Sequence, residues 1–144
     1  MRSDRMVMRF ARLGWHRQAM LAEALAAIAA ASIAVRFLSF ERAVLLGCHR
    51  VTAPSPRDHE QVQREVRWSV VAVAARVPWR AVCFQQGLAL QWMLRRRGID
   101  ARLHYGVGRG DGDSLRAHVW VSAGESIVIG GDEAPNFRAV AVYP

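Results

Sequence analysis

A cysteine, a histidine and a carboxylate stand in this sequence in the order that thiol-based acyl transfer needs. Cys83 opens the segment CFQQGLALQWMLRRR, which reads as a helix from about Ala81 to Arg97, after a break at Pro78-Trp79 and before Gly98. A thiol there meets free backbone N–H groups and the positive end of the helix dipole. Both favour the thiolate, the form that attacks a carbonyl carbon. His118 falls within a strand-like run, LRAHVWVS, and a strand packed against the helix start can present it as a general base. Asp132 follows the next strand. It is placed to accept a hydrogen bond from the far ring nitrogen, which would fix the tautomer and stabilise the imidazolium.

Singly, each residue has a plainer reading. A helical Cys is most often a small buried hydrophobe, a strand His is usually satisfied by packing and one hydrogen bond, and an Asp beside a Gly is usually a turn residue. The combination is stronger because each stands where the mechanism would put it. The remaining candidates are weaker. Cys48-His49 follows Ala43 to Gly47 and reads as helix packing. His104 alternates to the polar side of its strand, which leaves solvent exposure and a place in a substrate groove both open. His16 and His59 read as surface residues. No Cys/His spacing suggests zinc, and no cofactor is expected. GRGDGDS lies between strands rather than before a helix, so it is not a phosphate loop.

Helices must carry the thiol and strands the imidazole. The segment from about Trp15 to Phe40 is Ala-rich and helix-prone, and Glu41 to Val51 reads as a second helix. Thr52 to Pro56 is a break. Ser55 then suits an N-cap and Pro56 the first helical position, with Asp58 in a variant capping box, for a helix running to about Arg76. Val62, Val66, Ser69, Val70 and Val73 form its buried stripe. Beyond Gly98 the period becomes two. Ala101 to Val107, Leu115 to Ser122 and Ser126 to Gly130 read as strands, and Ala139 to Tyr143 as an edge strand. Helices followed by an antiparallel sheet give an α+β fold.

The chain has 144 residues and mass 16.1 kDa, the size of one domain. It divides into a helical part, residues 1–77, and a core, residues 78–144. With 52% hydrophobic and 22% charged residues it is not a disordered protein. Two cysteines exclude a disulfide-stapled scaffold. All 20 basic residues are Arg, against 12 acidic ones, for a net charge of +8. That charge suits nucleic acid, an acidic peptide or a membrane surface, but no nucleic-acid motif is present. In the most apolar stretch, Ala19 to Phe40, the longest uncharged run is Ala24 to Val35, shorter than the roughly 20 apolar residues of a spanning helix. It reads as a buried or docking helix, with an interfacial helix bearing Arg2, Arg5, Arg9, Arg12 and Arg17 as the lesser reading. The order of a signal peptide is missing. A cytoplasmic protein with free thiols is expected, and membrane association is not.

The run from Cys83 through Gly131 resembles the transglutaminase-like cysteine protease of lasso-peptide biosynthesis, the maturation B protein that removes the leader from a precursor peptide. The resemblance rests on Cys83 opening a helix, Leu88-Ala89-Leu90, Arg96-Arg97-Gly98, Gly106-Val107 and Ala117-His118-Val119-Trp120-Val121. It covers about residues 78–140. It implies Cys83 as nucleophile and His118 as base, with an acidic third member in Gly130-Gly131-Asp132-Glu133. Asp132 is the first choice there and Glu133 the second.

The implied reaction is leader cleavage through a thioester, with the Cys83 backbone N–H as one oxyanion donor and Trp79 or Gln85 as guesses for the second. The implied partners are the precursor peptide, a macrolactam synthetase and a separate leader-recognition protein, since no strand-rich recognition segment precedes Pro56. The helical half or an exposed sheet edge would dock that protein. The alternatives are a transglutaminase-like acyltransferase that uses an amine as acceptor, and a non-enzymatic basic peptide-binding module.

Overall fold

The computed structural model describes residues 7–9, 11–47 and 54–144. The expectations for Arg2, Arg5, Cys48-His49 and the end of the second helix lie outside the described residues.

The first long helix, α1, spans Trp15–Phe37 and buries Met20, Ala24, Ile28, Ala31 and Ala34. These recur every three or four residues, so one stripe faces inward. By length and composition α1 is apolar enough to cross a membrane, and its inner stripe packs on the other helices. It stops before Phe40 because Ser39 takes the N-cap of a short second helix, α2 (Phe40–Leu45). The Ser39 side chain accepts from the Arg42 backbone N–H at 3.4 Å.

The next helix, α3, spans His59–Ala74 and begins later than the Pro56 start expected above. Asp58, not Ser55, caps it, accepting from the Gln61 N–H at 2.9 Å. Aspartate serves that position as well as serine, and the Ser55 hydroxyl instead lies 2.7 Å from His59 Nε2. Of the predicted stripe, Val66, Ser69, Val70 and Val73 are buried and Val62 is half-buried. Helix α4 spans Cys83–Arg96, two residues shorter at its start than expected. Gln85 Oε1 accepts from the Val82 N–H at 3.2 Å, and Gln86 Nε2 donates to the Ala81 carbonyl at 2.9 Å. These bonds hold Ala81 and Val82 outside the helix and make Cys83 its first residue.

Four strands follow, β1 (Ala101–Arg109), β2 (Leu115–Ala123), β3 (Ser126–Ile129) and β4 (Arg138–Tyr143), with a short 3-10 turn at Ala134–Asn136. They form one antiparallel sheet in the order β3-β2-β1-β4, so β3 and β4 are its edges. Helices α1, α3 and α4 form a layer, and α4 lies directly on β1 and β2. Gly87 sets that approach: a Cβ there would stand 2.7 Å from Val119 Cγ1 and 3.7 Å from Leu103 Cδ1 and Val121 Cγ2. Only a bare Cα permits so close a helix–sheet contact. Gln91, fully buried, donates from Nε2 to the Ala101 carbonyl at 3.3 Å and to the Tyr143 carbonyl at 3.2 Å. One amide thus ties the helix to β1 and β4.

Candidate active site

Cys83 occupies the first position of α4 and is half-buried. Backbone N–H groups in a first helical turn have no intrahelical acceptor, so the turn around the sulfur presents donors. Phe84, the next residue, packs against Phe40 and Tyr105 with ring centroids 5.0 and 5.9 Å away. Trp79, one of the two residues considered as an oxyanion donor, instead donates its indole N–H to Ser32 Oγ on α1 at 3.0 Å.

His118 is 8% exposed on β2, paired across the sheet with Gly106. Its ring lies 5.0 Å from Phe137 and 6.1 Å from Trp120. Nε2 is 2.9 Å from the Gly130 carbonyl oxygen. A carbonyl only accepts, so Nε2 carries a proton, and in the neutral ring the lone pair is then on Nδ1. Gly130 can offer its carbonyl there because it turns the chain with φ of +79° directly after β3, and any Cβ would meet the Val119 carbonyl oxygen at 2.7 Å.

The carboxylate facing the ring is that of Glu133. Its Oε2 lies 3.9 Å from His118 Nδ1 and 3.8 Å from Arg116 Nη2. Asp132, the first choice from sequence, is exposed and lines a surface groove beside α3, and it makes no hydrogen bond or ion pair among the described residues. Two adjacent residues in a turn point apart, and one-dimensional spacing does not say which faces the histidine. The acceptor that orients the ring belongs to the main chain. A search by residue type has no signal for it beyond the Gly-Gly pair itself.

Cys83 and His118 are carried by elements in direct contact, but no hydrogen bond joins them among the described residues. The pleat explains this. Val119 and Val121 take the face of β2 that meets α4, so alternation turns His118 and Trp120 to the other face. There Trp120 stacks on His104 with centroids 5.4 Å apart and 3° between planes. His104 is half-buried and lies 2.7 Å from Ser122 Oγ. Burial, and then the nearby Arg102 charge, hold its imidazole below the usual histidine range. His104 therefore shares a face with His118 and Trp120. His16 and His59 are exposed, with partners Glu65 and Ser55. Among the described residues no group of three or more His, Cys, Asp or Glu side chains is placed to hold a metal ion.

A family model described as the transglutaminase-like superfamily, Transglut_core3, matches residues 24–142. The chain belongs to the transglutaminase-like superfamily. Comparison with curated proteins and with solved structures returned no match. The family match begins within α1 and ends within β4. It therefore takes in the helical layer as well as the segment carrying Cys83 and His118. The α+β architecture, with helices followed by a helix packed on a four-stranded antiparallel sheet, is that of a transglutaminase-like domain. Membership suggests a cysteine hydrolase or acyltransferase.

Proposed function

We propose that this transglutaminase-like protein is a cysteine peptidase that removes the leader from a lasso-peptide precursor. It would work in the cytoplasm with a separate leader-binding protein and a macrolactam synthetase. The observation that carries the catalytic part is the His118–Gly130 bond, because a histidine with its proton on Nε2 has a basic nitrogen to offer a thiol. The precursor and the partners rest on the resemblance of the motifs around Cys83 and His118 to those of the lasso-peptide B proteins.

In this mechanism His118 Nδ1 takes the proton from Cys83, and the thiolate attacks the last leader carbonyl. The Cys83 N–H and the side-chain amide of Gln85 stabilise the oxyanion. The C–N bond breaks as His118 returns its proton to the leaving amine. Water, deprotonated by His118, then hydrolyses the thioester and restores the thiol. Glu133 faces the imidazolium throughout.

For this to happen His118 must turn from its present face of β2 toward the start of α4, because Val119 and Val121 hold the α4 face in this structure.

The test combines precursor, leader-binding partner and this chain, and reads masses. Cleavage at a single bond, abolished by Cys83→Ala and by His118→Ala, is expected. Uncut precursor with the partner shown to bind it counts against the reading. A product carrying an added amine in preference to water makes the chain an acyltransferase.

A further inference from the structure

We propose that the hydrogen bond from the Trp79 indole to the Ser32 hydroxyl is a strut that holds the start of α4 in place, which makes Trp79 and Ser32 positioning residues for the Cys83 thiol. The inference rests on the reading of Cys83 as nucleophile and deepens it, by naming what fixes that nucleophile from outside its own helix.

Residues 75–82 carry the chain from the end of α3 to Cys83. Arg76 and Val77 donate back to the Val73 carbonyl at 2.9 and 3.1 Å, so the chain leaves α3 after Val77. Pro78 has no N–H to give. Ala81 and Val82 are bonded by Gln86 and Gln85, but both of these belong to α4 and move with it. Pro78, Trp79, Arg80 and Val82 are exposed, and Ala81 packs against the core. The bond from Trp79 Nε1 to Ser32 Oγ, at 3.0 Å, is therefore distinctive. Among the described residues it is the one hydrogen bond that ties residues 78–82 to an element other than α4.

The acceptor is specific to its place. In the run Ala24 to Val35, Ser32 is the only polar residue. A serine there is a poorer helix former than the alanines around it, so helix formation does not account for it. Its hydroxyl donates to the Ile28 carbonyl at 2.7 Å, which leaves the oxygen lone pairs to accept from the indole. Trp79 is 40% exposed, so its polar tip contributes more here than its bulk does. The pair joins residues 47 apart in sequence. It links α1, which packs on both α3 and α4, to the segment that delivers the nucleophile. The consequence is chemical. The field at a helix N-terminus falls off within the first turn, and displacing a reacting group by about 1 Å costs on the order of a hundredfold in rate. Cys83 is the first residue of α4, so a shift in the residues before it moves the sulfur against the free N–H groups of its turn. Reactive groups are held to such tolerances by supporting hydrogen bonds one layer out, and the Trp79–Ser32 bond is one.

The test uses the full chain and iodoacetamide at pH 7, with alkylation of the fragment carrying Cys83 followed by mass, so that no precursor is needed. Trp79→Phe keeps the ring and removes the donor. Ser32→Ala removes the acceptor and, as the better helix former, leaves α1 intact. Ser32→Thr keeps the hydroxyl. Alkylation of Cys83 should slow at least threefold in Trp79→Phe and in Ser32→Ala. The double variant should be no slower than the slower single one, because the two side chains act as a unit. Ser32→Thr should restore the parental rate. A smaller or opposite change in either single variant overturns the proposal, and so do losses that multiply in the double variant. A lowered thermal midpoint with parental alkylation rates also overturns it, since the bond then serves stability alone. In precursor cleavage the loss should fall on kcat and leave KM within twofold, and a loss carried by KM alone counts against the strut. Alkylation is read without precursor, so an uncut precursor overturns the peptidase reading and leaves the strut standing. Parental alkylation in every variant, with the precursor still cut, does the reverse.

Discussion

His118 donates from Nε2 to the carbonyl oxygen of Gly130 across 2.9 Å, and the carboxylate of Glu133 stands 3.9 Å from the opposite ring nitrogen. The main chain therefore fixes the tautomer, and a carboxylate is left to balance charge. In many Cys-His sites one side-chain acceptor does both. Here the two tasks fall on separate groups.

That division predicts unequal effects for the two acidic neighbours. Glu133→Gln should lower kcat/KM by up to about fivefold, the limit for an exposed pair worth no more than about 1 kcal/mol. The loss should shrink as salt is raised. Asp132→Asn should change kcat/KM less than twofold. Steady-state cleavage at two ionic strengths measures both, and a larger loss for Asp132→Asn would reverse the assignment.

Gly87 predicts a steric cost. Gly87→Ala places a methyl 2.7 Å from Val119 Cγ1, and overpacking of this kind costs about 1–3 kcal/mol. The gain in helix propensity is about 1 kcal/mol, so the net effect is destabilising. Adding Val119→Ala should recover part of the loss, although Val119→Ala alone is destabilising. Urea denaturation of the four proteins in the cycle reads the coupling.

Acid should weaken the junction of α1 and α4. Arg97 Nη1 donates to Glu23 Oε1 at 2.8 Å, and this bond is the main reason the Glu23 carboxyl titrates below its usual range. A carboxylate depressed on folding stabilises the fold above its unfolded value and loses that contribution as pH falls through its folded value. Thermal midpoints should therefore drop on acidification below about pH 4.5, the ordinary glutamate range. Glu23→Gln should flatten that limb and cost about 2 kcal/mol at neutral pH, as for a charge-assisted hydrogen bond.

His104 predicts a milder dependence nearer neutrality. Burial favours its neutral form, so the unfolded chain takes up a proton before the folded one does. Stability then declines as pH falls from 6.5, the ordinary histidine value, to the lower folded value. Two-dimensional NMR should show the His104 ring titrating below the ordinary histidine value of 6.5, and His104→Gln should remove this part of the pH dependence.

The sequence shows the strands more clearly than the helix boundaries. Alternation from Ala101 and from Leu115 marks both central strands within two residues, because one face is buried and the pleat has period two. The start of α3 is not legible in the same way: Ser55 and Asp58 are both good caps, and the choice between them depends on where Ser55 meets His59. At the site, Cys83 and His118 are legible as residue types at characteristic elements. The face on which His118 emerges is not. Alternation groups it with Trp120, but only packing reveals that Val119 is the residue meeting Gly87. The Gly130 carbonyl is invisible for a simpler reason, since every residue has one.

The inner stripe of α1 contains Ala24, Ala31 and Ala34, all buried. Short side chains bring neighbouring helix axes toward the near end of the usual 8–10 Å separation. At these three positions a single added branch must push a whole rod away from its neighbours, while Met20 and Ile28 on the same stripe supply its bulk. The alanine positions of α1 are therefore where enlargement does most damage, and Ile28 is where trimming does.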